Sequence, residues 1–195
     1  MSESVADWVV SAAGVPAGTR GLAVDSLGEE KVLGKSGFTL SSPAFSPGSE
    51  LDPCFTAFEE DAVAPPLEWS APPPGSQELV LVVESVGPHG GEPLLHWLVW
   101  GLPPQKGKLL EGEVPPRTGK NGRGNSEWLL PEPPIGEKHN YVFQLFALDL
   151  PLIQMPGAKA EEVFSAMRGH VTACAVLAAK FEGTETEDLG WDEED

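Results

Sequence analysis

The chain carries four histidines, His89, His96, His139 and His170, and these are the side chains best suited to proton and hydrogen-bond chemistry near neutral pH. His96 sits inside an apolar run, LLHWLVW, where an imidazole must find a polar partner. His139 follows a proline-rich run in LPEPPIGEKHNY, which also supplies Tyr141. None of the four shows the close HxH, HExxH or His/Cys spacing of a metal site, so no metal is expected. Gly-x-Ser-x-Gly is absent and no cysteine pairs with a histidine in a catalytic pattern, so neither an enzymatic activity nor a cofactor is expected. What remains is Glu84, His96, His139 and Tyr141, with a rim of Pro131, Pro133 and Pro134. Two imidazoles, a phenol and a carboxylate can hold a small polar or anionic group by directional hydrogen bonds. Rigid prolines would keep such a pocket preformed. His89, in a loop, and His170, at a helix end, read as histidines satisfied by their own surroundings, with no role in the site.

These groups need elements to position them. LVLVVESVGPHGGEPLLHWLVWGL (residues 79–102) reads as two buried strands, 79–83 and 94–100, joined by a Gly- and Pro-rich loop over 85–93. Residues 140–148, NYVFQLFAL, form a strong strand. PPLEW places Leu67 and Trp69 on one side if extended, and a short strand fits 108–110. Residues 158–168 have helical periodicity, with Gly169 as the stop. HVTACAVLAAKF (170–181) is ambiguous: its alanines suit a helix and its alternation suits a buried strand. GKNGRGN (119–125) is the most basic spot in the chain, but neither GxxxxGK(S/T) nor GxGxxG is met, and it reads as a glycine turn.

Residues 1–37 read as an extension. Ser2 and Ser4 can cap a short helix that presents Val5, Trp8, Val9 and Ala12 on one face and ends at Gly14. That face must bury against the chain's own body or against a partner. A further strand fits 22–24. At the other end, residues 182–195 hold eight acids and no base, which is the composition of a solvated acidic tail.

At 195 residues the chain suffices for one domain with a sizeable core, and 22 Gly and 20 Pro scattered between short apolar runs favour an all-β body. A net charge of -18 repels phosphate backbones and anionic membrane surfaces, so neither nucleic acid nor stable membrane insertion is expected. Cys54 and Cys174 are too few for a disulfide framework and suit small core fillers. The N-terminus lacks a basic region and no apolar run reaches membrane-spanning length, which makes the reducing cytoplasm the expected location.

FTLSSPAF, PPLEW, HWLVWGLP, PEPPIGEKHNYVFQLFALD and GHVTACAVLAAKFEG occur in the order seen in the phosphatidylethanolamine-binding proteins, and the chain most resembles their bacterial, Raf-kinase-inhibitor-like branch. The resemblance spans about 38–183, leaving 1–37 and 184–195 outside. It implies a mainly β, Greek-key sandwich with short peripheral helices and a small anion pocket near one end. His96, His139 and Tyr141 match pocket residues of that family, and Glu84, Pro133 and Pro134 complete the expected ligand-binding set. The ligand implied is a small anion such as phosphate or a phospho-headgroup, with a protein partner and a homodimer as further expectations. The resemblance also tips 170–181 towards a strand. Two departures stand out. Glu84-Ser85-Val86-Gly87-Pro88 replaces the usual Asp-Pro-Asp-x-Pro, and Leu130 replaces a rim glycine. Val86 and Leu130 are therefore expected to make the pocket narrower and more apolar. If they close it, an interaction role for the N-terminal helix and acidic tail is the alternative.

Overall fold

The computed structural model describes residues 3–185, so Ser2 and most of the acidic tail lie outside the described residues. The fold is mainly β. Its centre is a four-stranded antiparallel sheet in the order β4-β3-β6-β7, built from β3 (Glu78–Gly87), β4 (Gly90–Leu102), β6 (Lys138–Leu148) and β7 (Val171–Glu182). A smaller antiparallel sheet, β1 (Leu40–Ser41), β2 (Leu67–Trp69) and β5 (Gly107–Leu109), faces it. Between the two sheets lies a core that includes Leu81, Val83, Trp97, Phe143, Leu145 and Leu177 from the large sheet and Leu67, Trp69 and Leu109 from the small one.

The middle strands are apolar on both faces, which is why LVLVV and YVFQLFAL read as near-continuous runs rather than alternating ones. Their second face carries Val80, Val82, Val86, Val142, Phe146 and Leu148, and it is covered by the N-terminal segment and by α3 (Ala160–Met167). Val5, just before α1 (Asp7–Ala13), Val9 and Ala13 within it, and Val24 and Leu27 from α2 (Ala23–Leu27) belong to this second core. The described part of residues 1–37 is thus packed into the body, and the apolar face of its first helix is buried against the chain's own sheet. Cys174 lies fully buried in that core, and Cys54 packs against the other.

Three local expectations change. Helix α1 starts after Ala6 and has no side-chain cap, so Ser4 is not used; the Ala6 amide instead donates to Asp25 Oδ1 at 2.8 Å. Gly14, in the left-handed region at φ 64°, ends the helix as its position suggests. Residues 22–24 open α2 rather than a strand, because acceptors on the sheet surface satisfy the amides of its first turn: Ala23 donates to Glu84 Oε1 and Val24 to Gln144 Oε1, both at 2.7 Å. The expected loop over 85–93 is mostly strand. β3 and β4 pair as far as Gly87 and Gly90, leaving a two-residue turn at Pro88 and His89. Residues 170–181 do form a strand, β7, paired along β6.

Candidate ligand-binding site

Strand parity decides what faces the site. β3 and β6 pair without a break from Glu78 opposite Leu148 to Val86 opposite Asn140. Side chains alternate between faces along this ladder. Leu79, Leu81 and Val83 enter the inter-sheet core, so Ser85 shares their side, while Val80, Val82, Glu84 and Val86 take the other. Tyr141 and Phe143 of β6 lie on the Ser85 side, and His139 follows by the same parity.

His96 breaks parity. Simple alternation would send it to the face of Leu98 and Trp100, away from Ser85. However, Val83 pairs with Trp97 and Glu84 with Leu95, which leaves His96 as the extra residue of a β-bulge. The bulge turns its ring onto the Trp97 side, where it reaches Ser85. The two hydrogen bonds fix the ring. Leu129's carbonyl can only accept, so the Nδ1–H donates to it at 2.7 Å. Nε2 then carries the lone pair and accepts the Ser85 hydroxyl at 2.7 Å. Tyr141 packs edge-on against the ring at 5.3 Å and Trp128 lies at 6.0 Å. Burial, with His139 nearby adding to it, pushes the His96 pKa down to about 4 against the pull of the Leu129 carbonyl, so the ring is neutral at pH 7.

The cavity has a volume of 330 Å³ and is lined by Ser85, His96, His139 and Tyr141 from the sheet. Leu129, Leu130, Glu132 and Pro133 form another wall, and Arg123 and Asn125 complete it. Tyr141 is buried, which raises its pKa, and its hydroxyl has no hydrogen-bond partner among the described residues. His139 Nε2 is paired with Glu137 at 2.9 Å.

Arg123, Asn125 and Ser85 are site residues that sequence reasoning missed. The signal for Arg123 was present: GKNGRGN is the most basic spot on an acidic chain. Its loop is tied along the edge of β4, with Gly119 donating to Leu98, Gly122 to Leu95 and Leu129 to His96 at 2.8 to 2.9 Å. At Gly119 a Cβ would fall 2.9 Å from the Ala158 carbonyl oxygen, so the close approach there requires glycine. Asn121 staples the loop internally: its amide donates to Asn125 Oδ1 (2.7 Å) and the Glu127 carbonyl (2.9 Å), and its Oδ1 accepts from the Arg123 amide. The proline wall is held at the other end by Gly183, whose carbonyl accepts from Gly136 and whose position leaves no room for a Cβ beside the Pro133 and Pro134 carbonyls.

The remaining expected site residues are placed differently. Glu84 is buried on the opposite face of the sheet, where Oε1 accepts from Ala23 and from Gln144 Nε2 (2.9 Å); it supports α2 and does not face the cavity. Burial lifts its pKa to about 7 against those two hydrogen bonds. Val86 shares that face, so it neither lines nor narrows the pocket. Pro133 is buried in the wall, whereas Pro134 is exposed and outside the lining. Pro131 is buried and its carbonyl accepts from Ala57. Leu130 does line the cavity. His89 sits in the β3–β4 turn, and His170 pairs with Asp149 at the surface at 2.9 Å.

The fold agrees with the comparison to known proteins. A family model described as phosphatidylethanolamine-binding protein matches residues 41–182. The chain belongs to the phosphatidylethanolamine-binding protein family. A relative from Chlamydia trachomatis, a UPF0098 protein, is 35% identical over 148 residues, covering 73% of this chain and 97% of its own. The crystal structure of a phosphatidylethanolamine-binding protein homologue from that organism, CT736, superposes with a TM-score of 0.68 at 34% identity, over 74% of this chain and 97% of that one. Escherichia coli YbcL, at 20% identity, shares the fold with a TM-score of 0.65 over 74% of this chain and 98% of its own. The family match begins after the N-terminal segment, so α1 and α2 cover the family's sheet from outside the matched region. Among the described residues, no helix is long and apolar enough to cross a membrane.

Proposed function

We propose that this family member is a non-enzymatic binding protein that holds a small anion, phosphate or a phospho-headgroup, in the His96–His139 cavity. One observation carries the reading: Arg123, His139, Asn125 and the Tyr141 hydroxyl, which is unpartnered among the described residues, line one cavity with the Ser85–His96 pair, against the single carboxylate of Glu132. An anion there gains charge-assisted hydrogen bonds in a partly dry site. The chemistry of Ser85 supports binding over turnover. Its hydroxyl donates to His96 as a nucleophile would to its base, but the ring's pKa of about 4 makes it a poor proton acceptor at pH 7. The ring's other nitrogen is oriented by a neutral carbonyl, which adds no charge to stabilise an imidazolium.

The test is a titration with phosphate and with phosphoethanolamine, following the His96 and His139 ring signals by NMR. Both rings should shift together, and His139→Ala should abolish the response. Unmoved rings at millimolar ligand would refute the reading. A broad esterase and phosphatase screen checks the non-enzymatic part, which turnover above that of a His96→Ala/His139→Ala variant would overturn.

A further inference from the structure

We infer that a second cavity beside the anion site takes an apolar group attached to the anion, so that the ligand is a soluble phosphomonoester carrying one short apolar substituent. The inference rests on the anion-binding reading and adds a subsite to it.

The second cavity has a volume of 360 Å³ and is walled mainly by Val63, Ala64, Trp97, Val114, Trp128 and Leu130. Leu130 lines both cavities, so the two adjoin at this side chain. Trp128 joins them as well. It packs against His96 and it lines the second cavity. Its indole N–H is already used on the Phe55 carbonyl at 3.1 Å, so it offers the second cavity an apolar surface without a free donor. Trp97 meets it edge-on at 5.6 Å. At the mouth, Val63 and Val114 are left 37% and 87% exposed, apolar surface that an occupant would cover.

Charge and size select the occupant. Glu113 and Glu127 line the second cavity with no Lys or Arg beside them, whereas Arg123 accompanies Glu132 in the first, so an anion is better placed on the Arg123 side. An apolar cavity of about 150 Å³ holds benzene. This one therefore has room for a ring or a short chain, but not for the paired long chains of a bilayer lipid. The net charge of -18 further disfavours approach to an anionic bilayer.

The experiment compares methyl, butyl and hexyl phosphate, each below its aggregation concentration, by calorimetry and by the Trp128 indole N–H signal. Each methylene buried should tighten binding by about three- to four-fold, so hexyl phosphate should bind more than about ten-fold tighter than methyl phosphate. Val63→Asp/Val114→Asp places charge at the solvent-exposed mouth without touching the core. It should return hexyl phosphate to the methyl phosphate level and leave methyl phosphate within about two-fold of its wild-type affinity. A series that is flat in the wild type while methyl phosphate still binds overturns the second cavity and leaves the anion site standing. Failure of every phosphate overturns the anion reading and this inference with it. Phosphatidylcholine vesicles containing phosphatidic acid should leave the Trp128 signal unmoved, and a shift with them overturns the choice of a soluble ligand.

Discussion

Replacing Glu84 by Gln should make the chain relatively more stable as pH rises. Oε1 of Glu84 accepts the Ala23 amide and the Gln144 side chain, and a glutamine oxygen can accept both. The substitution removes only the ionisation. In the folded chain that ionisation is moved from the ordinary 4.5 to about 7, because the cost of burying a carboxylate exceeds the gain from two hydrogen bonds. Between these pH values the folded state holds a proton that the unfolded state has released, so stability falls as pH rises through the window. The displacement corresponds to about 3 kcal/mol, present below pH 4.5 and lost above pH 7. His96 works in the opposite direction. Its folded pKa of about 4 lies below the ordinary 6.5, so it contributes a similar stability above pH 6.5 that is lost as pH falls through 4. The two groups therefore nearly cancel where their windows overlap, and the wild type hides both. Urea unfolding of the wild type and Glu84→Gln at intervals from pH 4 to 8 separates them. The difference in unfolding free energy should move in favour of the variant by about 3 kcal/mol across that range. Parallel curves would mean that Glu84 titrates normally and that its hydrogen bonds offset its burial.

Two further outcomes concern the cavity. Saturating phosphate should raise the His96 pKa above about 4, because a bound anion favours the imidazolium that burial disfavours; an NMR pH titration with and without phosphate reads this, and an unchanged value would place the anion away from the ring. Asn121→Ala removes the staple of the Arg123 loop and should cost about 1–3 kcal/mol in unfolding free energy together with a loss of phosphate affinity. Unchanged affinity in that variant would show that Arg123 does not depend on the loop's internal bonding.

Much of the strand framework could be read from the chain because β-branched and aromatic runs bounded by Gly and Pro mark strands in any context. The ambiguous stretch that became β7 shows the limit: alanines tolerate both states, and pairing with β6 decided it. The site was harder to read for geometric reasons. Glu84 and Ser85 are neighbours in sequence, and only the register of β3 against β6 determines which one faces the cavity. Chemical type favoured the carboxylate, and parity selected the serine. His96 reaches the cavity through a bulge for which LLHWLVW carries no marker. Arg123 is 27 residues from His96 in sequence and meets it through a glycine-dependent approach of two backbones. Leu22–Val24 was misread because the acceptors that start the helix there lie 61 and 120 residues further along.

That last separation has a consequence for biosynthesis. The N-terminal segment is made before the sheet, yet its partners include strands much later in the chain, among them β6 and β7. With 120 residues between Val24 and Gln144, translation at about 5–20 residues per second leaves its apolar side chains without their native cover for roughly 6 to 24 seconds. Its native contacts with β6 and β7 can form only after those strands have been made. The same stretch carries Asp7, Asp25, Glu29 and Glu30, whose like charge disfavours association between neighbouring nascent copies.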